Sequence, residues 1–252
     1  MNEEIKLKKK YVAIHQPQYF PWPGYFEKIL NSDVFIFLDD VQYQKNGLQN
    51  RNRIKSSTGE TWLTLPVQNS LGTNIKDITI VNQHVKLKNL KTLQTNYAKA
   101  NFFHLLFPKL QAILDSDCLH LSRISIDIIL FMLKHLDYKG RTLLSSELNS
   151  EGKGKQKIVN LCKEVKATHY LSGVGGLNYL DRKDFLESNI EVIFQQYKSQ
   201  EYRQCFPKIG FIPGLSAIDL LFNEGQQAQK IIDPTINHYL KWDEIKMNEE
   251  RI

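Results

Sequence analysis

The segment HQPQYFPWPGYF, residues 15–26, combines side chains that neither a hydrophobic core nor an ordinary surface loop requires. Its three prolines restrict the backbone and so lower the entropy cost of holding one histidine, two glutamines and five aromatic rings in place. A histidine here could transfer a proton near neutral pH, so we expect His15 to act as an acid or base. The substrate contacts expected from the loop are Gln16, Gln18, Tyr19, Trp22 and Tyr25. The alternative is a buried histidine bonded to the backbone, under rings that only cover a sheet.

Two adjacent carboxylates, Asp39 and Asp40, follow the apolar run VFIFL. Consecutive side chains of an extended chain point to opposite sides, so one carboxylate can face a site while the other caps a turn. We expect one of them to orient His15, and we count all three residues as catalytic candidates. Both could instead bind Mg²⁺ together with a substrate phosphate. Two adjacent carboxylates do not by themselves make a metal site, and no metal ligand is assigned.

Positively charged residues occupy every second position a little later in the chain, at Arg51, Arg53 and Lys55. In an extended segment these three side chains share one face, where arginine offers paired hydrogen bonds to phosphate or carboxylate. Gln42 and Lys45 lie close enough in sequence to join such an anion clamp. The alternative is a solvated strand whose cations pair with the two aspartates.

The C-terminal half contributes polar residues near predicted strand ends. Ser172 and Gly173 belong to LSGVGG, a turn whose backbone amides could hold an anion. Tyr197, Tyr202 and Gln204 in QYKSQEYRQ are further candidate substrate contacts. Neither LSGVGG nor GKGK, residues 152–155, has the spacing of a nucleotide-binding fingerprint.

Hydrophobic patterning indicates how these residues are positioned. Strands are expected over residues 11–15, 34–40, 61–67, 75–81, 168–173 and 191–197, and helices over 25–31, 156–166 and 215–223, with a helical middle over 86–137. The helix near residue 215 carries Ser216 and Asp219 at the spacing of a capping box. The initial order strand, loop, helix, strand is a βαβ unit, which implies a parallel sheet with a right-handed crossover. Ligands bind such sheets beyond the carboxyl ends of the strands, where His15 is expected.

The sequence thus predicts an α/β fold with a mostly parallel sheet flanked by helices and a helical middle segment. Residues 1–252 are expected to form one domain, with residues 145–155 as the candidate hinge between an N-terminal and a C-terminal portion.

Composition narrows the classes of function. The net charge of +6 is spread along the chain, which suits an anionic small molecule better than nucleic acid. Three widely spaced cysteines without a CxxC pair indicate neither a disulfide framework nor a zinc site. Without a long apolar run we expect no membrane insertion. Without a signal segment we expect a cytoplasmic protein.

Several blocks of the sequence resemble the WbqC-like family. They are IHQPQYFPWPGYFEKI, SDVFIFLDDVQYQKNGLQNRNRIK, WLTLPV, YLSG, YKSQEYRQ and LSAIDLLFNEG, which together extend from about residue 11 to residue 225. The resemblance implies a place in bacterial O-antigen or other surface-polysaccharide synthesis, and hence work on activated sugars. It does not by itself imply a particular reaction.

The first βαβ unit also looks like the start of a class I nucleotidylyltransferase. Those enzymes carry an HxGH signature at the start of the helix. Aligned on Gly24, this chain reads Trp22, Pro23, Gly24 and Tyr25, so both signature histidines are missing. The likeness therefore implies nucleotide binding more than that family's mechanism.

Three functions remain open at this point. The leading one is a transferase that N-acylates a nucleotide-linked amino sugar, with an acyl donor as second substrate. The second is nucleotidyl transfer from an NTP, the only alternative in which Mg²⁺ enters as a cofactor. The third is a non-catalytic module that binds sugar nucleotides. The sequence does not identify a cofactor, the acyl donor, the sugar, the base or the oligomeric state.

Overall fold

The computed structural model describes residues 8–68, 72–232 and 239–249. Its strands are β1 (Tyr11–His15), β2 (Val34–Phe37), β3 (Arg51–Ser56), β4 (Gly59–Thr64), β5 (Arg141–Leu144), β6 (His169–Ser172), β7 (Glu191–Phe194) and β8 (Leu240–Lys241). Its α-helices are α1 (Pro23–Leu30), α2 (His84–Tyr97), α3 (Phe103–Leu114), α4 (Leu121–His135), α5 (Gly154–Glu164), α6 (Arg182–Leu186), α7 (Ala217–Glu224), α8 (Ala228–Ile232) and α9 (Trp242–Glu249).

Six strands form the central sheet, in the order β5–β2–β1–β6–β7–β8. The first five are parallel, and the short β8 pairs antiparallel with β7. This confirms the predicted α/β fold with a mostly parallel sheet. Strands from both sides of the candidate hinge at residues 145–155 enter the same sheet, and β1 lies inside it between β2 and β6.

Both faces of the sheet are buried, as the apolar character of its strands predicts. Because side chains alternate along a strand, Ala13 faces one side and its neighbours Val12 and Ile14 face the other. Ala13 belongs to the larger core with α1 and the helical middle. Val12 and Ile14 belong to a smaller core with α5 and α6. The residues at the end of β1 therefore lie between two packed layers.

Residues 38–140 form an insertion between the neighbouring strands β2 and β5. It contains the antiparallel hairpin β3–β4 and the helices α2, α3 and α4, so the predicted helical middle is confirmed as three helices. No helix in the described part of the chain is long and apolar enough to cross a membrane.

Some element predictions are wrong. Residues 75–81 do not form a strand: a 3₁₀ turn, Ile75–Asp77, is followed by isolated bridges at Thr79 and Ile80. The edge strand β5 was not predicted, because its four residues, RTLL, carry little apolar signal. The capping box at α7 is only half formed. Ser216 accepts a hydrogen bond from the Ile218 amide, but the carboxylate of Asp219 turns away from the helix end.

The carboxylate of Asp219 instead ties three elements together. It is fully buried on α7 and accepts hydrogen bonds from Tyr97 on α2 at 2.6 Å and from Tyr202 at 2.9 Å. The Tyr97 hydroxyl also accepts from the backbone amide of Lys55 on β3 at 2.9 Å. The Tyr97 hydroxyl therefore links β3 of the hairpin, α2 and α7.

Replacing Tyr97 with Phe should destabilise the fold by about 1–3 kcal/mol, because it leaves the Lys55 amide without a partner and removes one of the two tyrosine hydrogen bonds to the buried Asp219 carboxylate. Urea denaturation measures the change in the free energy of unfolding. Tyr179→Phe is the matched control, since that side chain is 54% exposed and should change stability by less than about 0.5 kcal/mol. Equal stability of the two variants would contradict the linking role.

Candidate functional site

A cavity of about 460 Å³ opens at the carboxyl ends of β1, β2 and β6. We call it the edge crevice. It lies where the strand order reverses, since the chain proceeds from β1 to β2 and β5 on one side and then returns to β6 and β7 on the other. Open parallel sheets bind ligands at such a point. The lining residues are Ile14, His15, Gln16, Leu38, Val41, Gln42, Gln44, Gly154, Lys157, Ile158, Tyr170 and Tyr179.

A second cavity, of about 510 Å³, opens at the opposite, amino end of the sheet. Several of its polar groups contact one another: His169 and Lys241 contact Glu191, and Arg182 contacts Asp243. Ligands bind open parallel sheets beyond the carboxyl ends of the strands, so the edge crevice is the better candidate site.

His15 ends β1 and lines the edge crevice, as the sequence places it. Its Nδ1 lies 3.0 Å from the carbonyl oxygen of Gln16, and its ring meets Tyr25 edge-on at 5.0 Å. Burial, together with the positive charge of Lys28, lowers the pKa of His15 to about 3. The imidazole is therefore neutral near pH 7. If Nδ1 donates its proton to Gln16, Nε2 carries the free lone pair.

A glutamine network holds the crevice wall. The side chain of Gln49 donates to the side-chain oxygen of Gln16 at 2.7 Å and accepts from the backbone amide of Gln44 at 2.9 Å. The hydroxyl of Tyr25 donates to the Gln16 carbonyl. These bonds fix the loop after β2 against the loop after β1, which brings Gln16 and Gln42 to the same cavity.

The two aspartates share the hydroxyl of Ser145 as a hydrogen-bond donor, and each has a further partner of its own. Neither forms a hydrogen bond or ion pair with His15. Asp39 is buried and accepts from the Ser146 amide at 3.0 Å and the Ser146 hydroxyl at 2.7 Å. Asp40 accepts from Lys157 at 2.6 Å and from Ser145 at 2.5 Å. The expectation that a carboxylate orients His15 is therefore corrected: the Gln16 carbonyl does so, because the aspartates are used to join β2 to β5 and α5.

Most aromatic residues of the loop after β1 are structural. Tyr19 is fully buried and its hydroxyl accepts from Asn89. The ring of Trp22 packs edge-on against Tyr197 and also covers Gly24, where a Cβ would meet it at 2.3 Å. Gln18 lies beside them, with its side-chain oxygen buried and without a partner among the described residues.

The expected three-cation face is divided. The guanidinium groups of Arg51 and Arg53 lie 4.9 and 5.9 Å from the ring centre of Trp62, which is 48% exposed. Arg53 is paired with Glu60 on the hairpin. Lys55 is buried instead, and its ammonium donates to the Gly210 carbonyl.

The other predicted contacts lie in different parts of the structure. Lys45 is exposed on the loop after β2, whereas Ser172 is buried at the end of β6 and donates to the Gly173 carbonyl. Tyr202 is bound to Asp219, and Gln204 holds the backbone of Ile212. Neither Tyr202 nor Gln204 lines the edge crevice.

Sequence reasoning missed several crevice residues, above all Lys157, Gln44 and Tyr179. Lys157 lies on the first turns of α5, directly after the GKGK segment, and Gly154 of that segment lines the cavity. The sequence did indicate a helix over residues 156–166. Because strand β5 was not predicted, however, nothing in the sequence placed this helix next to the end of β1. Within the described ranges, no three His, Cys, Asp or Glu side chains come together as metal ligands.

Comparison with known proteins gives a family but no reaction. The model of the WbqC-like protein family matches residues 16–231. The uncharacterized protein Rv1507c of Mycobacterium tuberculosis is 34% identical over 223 residues, which cover 87% of this chain and 96% of that protein. No solved structure matches at a significant level.

Acid should destabilise the protein partly through His15. Its folded-state pKa of about 3 lies below the ordinary value of 6.5, so the unfolded chain binds a proton that the folded protein does not. The stability from neutral His15 is fully present above about pH 6.5 and is lost as the pH falls toward 3. His15→Gln should therefore lose less stability than the wild type between pH 7 and pH 4 in urea titrations. An imidazole signal of His15 that titrates near pH 6.5 by NMR would contradict the assignment.

Proposed function

The chain belongs to the WbqC-like protein family, and on that basis we propose that it is a transferase that N-acylates a nucleotide-linked amino sugar in the edge crevice. The observation that carries the proposal is the position of neutral His15 beside Gln16, Gln42 and Lys157, where the strand order reverses. The family resemblance supports a role in bacterial surface-polysaccharide synthesis, in the cytoplasm, where activated sugars are made.

The chemistry follows from the state of His15. The sugar amine attacks the carbonyl carbon of the acyl donor, a C–N bond forms, and the bond from carbon to the leaving group breaks. Nε2 of His15 accepts the proton that the amine nitrogen loses and passes it to the leaving group. A pKa of about 3 makes His15 by itself a weak base. A bound anion nearby would raise that pKa and so strengthen the base.

Polar residues around His15 have distinct proposed tasks. Gln16, Gln42 and Gln44 offer donors and acceptors for sugar hydroxyls. Lys157, held by Asp40, presents a cation from the opposite wall. These groups bind and orient, while Leu38 and Ile158 limit access of water from the wall of the smaller core.

The hairpin supplies a proposed outer contact. Arg51 donates to the carbonyl of Asn46, in the loop that also carries Gln42 and Gln44 to the crevice. The half-exposed Trp62 and its two arginines therefore border that loop and could stack on a base. Ser172 and Gly173 remain proposed contacts at the end of β6.

Sheet topology supports a second candidate, nucleotidyl transfer from an NTP with Mg²⁺, because nucleotides bind at strand-order reversals. That reaction releases pyrophosphate and stops when the metal is chelated. A non-catalytic sugar-nucleotide module would bind without turnover of any donor.

A nucleotide-linked amino sugar should raise the melting temperature, since a ligand at about 100 times its Kd adds about 2.7 kcal/mol. The panel contains dTDP- and UDP-amino sugars, coenzyme A thioesters, formyl-folate, and ATP with Mg²⁺. Lys157→Met should weaken sugar-nucleotide binding about tenfold to hundredfold, as expected when a charged hydrogen bond is lost. Lys155→Met, two residues away and paired with Asp181 and Asp184, is the control that should bind normally. A response to ATP and Mg²⁺ alone would favour nucleotidyl transfer.

Once a donor is found, His15→Ala should lower turnover by about 10²–10⁴, the usual contribution of general acid–base catalysis. The fold should persist, because His15 forms one side-chain hydrogen bond, to its neighbour. Circular dichroism and the melting temperature establish folding, and steady-state kinetics give turnover. Wild-type turnover by folded His15→Ala protein would exclude the catalytic role.

A further inference from the structure

The side-chain amide of Gln49 has a fixed orientation. A backbone N–H can only donate, and that of Gln44 donates to Oε1 of Gln49 at 2.9 Å. The other end of the Gln49 amide is therefore its NH2 group, which donates to Oε1 of Gln16 at 2.7 Å. The two ends of a glutamine amide are told apart by their hydrogen-bond partners. Because the chain of bonds starts at a backbone amide, it determines the orientation of both glutamines.

The same bonds determine which end of the Gln16 side chain is left for a ligand. Its Oε1 is held by Gln49, a buried residue that does not line the edge crevice. Gln16 does line it, and its Nε2 forms no hydrogen bond with any residue that the structure describes. Among those residues, Nε2 is also not one of the buried polar atoms that lack a partner, so it is accessible. Gln16 therefore presents an NH2 group to the crevice, which donates hydrogen bonds and does not accept them.

His15 presents the complementary group beside this donor. Its Nδ1 lies 3.0 Å from the backbone carbonyl oxygen of Gln16, which can only accept, so Nδ1 carries the proton and Nε2 the lone pair. Both residues line the edge crevice, and consecutive Cα atoms lie about 3.8 Å apart. Acyl transfer to an amine uses both kinds of group. The amine nitrogen loses a proton to an acceptor, while the carbonyl oxygen gains negative charge that a donor stabilises.

We propose that Gln16 is a catalytic residue of the edge crevice, whose Nε2–H groups stabilise the negative oxygen formed from the acyl carbonyl. This role rests on the proposed function, whereas the orientation of the Gln16 amide does not. When the sugar amine attacks, the C=O electron pair moves to oxygen, which accepts from Gln16 while His15 takes the amine proton. The pair then re-forms the carbonyl, and the leaving group departs with its bonding electrons and the proton from His15. This task is more specific than contact with a sugar hydroxyl.

Gln16→Leu should lower kcat by about 10²–10³, the usual effect of removing one such donor. The KM for the sugar nucleotide should stay close to the wild-type value, because the bond strengthens only in the transition state. Steady-state kinetics with coenzyme A thioesters and formyl-folate as acyl donors measure both constants. Gln111→Leu is the matched control, since Gln111 is exposed on α3 and lies outside the crevice. A raised KM at wild-type kcat in Gln16→Leu would overturn the proposal.

A second variant covers the case in which Gln16→Leu does not fold, because leucine leaves the buried Gln49 without its acceptor. Gln16→Glu keeps an oxygen for Gln49 and replaces the NH2 group by an oxygen that cannot donate when ionised. The same fall in kcat is expected. Wild-type kcat in folded Gln16→Glu protein would exclude the catalytic role.

The orientation of the Gln16 amide can be measured by heteronuclear NMR without any reaction. The NH2 protons of Gln49 should exchange slowly with water, because they are buried and bonded, and those of Gln16 should exchange rapidly. The signal that disappears in Gln16→Glu identifies the Gln16 amide. Slow exchange at Gln16 with rapid exchange at Gln49 would overturn the proposal. Rapid exchange at Gln16 without acyl transfer from any of the donors would support the fixed donor and count against the proposed function alone.

Discussion

The chain leaves β1 along one side of the sheet, builds β2 and β5, and then returns to build β6 and β7 on the other side. Because every connection between neighbouring parallel strands must cross a face of the sheet, this reversal sends α1 and α5 to opposite faces. The edge crevice opens at the carboxyl end of β1, between these two sides. Tyrosine, glutamine and aspartate side chains around it form the hydrogen bonds that connect the two sides of the opening.

Buried polar groups show how this holding is done. Asp39 joins β2 to the residues after β5, Asp40 joins β2 to α5, and Gln49 joins the loops after β2 and β1. Asp219 on α7 bonds Tyr97 on α2, and through the Tyr97 hydroxyl it is connected to the hairpin as well. Polar groups buried with partners fix geometry at modest net energy.

Much of the fold could be predicted from sequence, because β1, α1 and β2 carry strong apolar patterns bounded by prolines and aspartates. The position of His15 followed from the rule for parallel sheets. The division of Arg51, Arg53 and Lys55 could not be predicted. Alternation places three side chains on one face of a strand, but whether solvent or the Gly210 loop covers that face depends on residues far away in sequence. Lys157 was missed for the same reason, since only the pairing of β5 with β2 brings α5 to the crevice.

The insertion of residues 38–140 between β2 and β5 has a consequence for folding kinetics. The hairpin and the helices α2 to α4 make contacts that are mostly local within the insertion, whereas β2 pairs with β5 only after the whole segment has been looped out. Closing such a loop lowers the conformational entropy of the chain before any strand contact has formed. Non-local pairing of parallel strands is therefore slow. The Asp39 and Asp40 bonds to residues beyond β5 form at the same step. From this topology we expect the wall of the edge crevice to be completed late in folding, after β2 and β5 have paired.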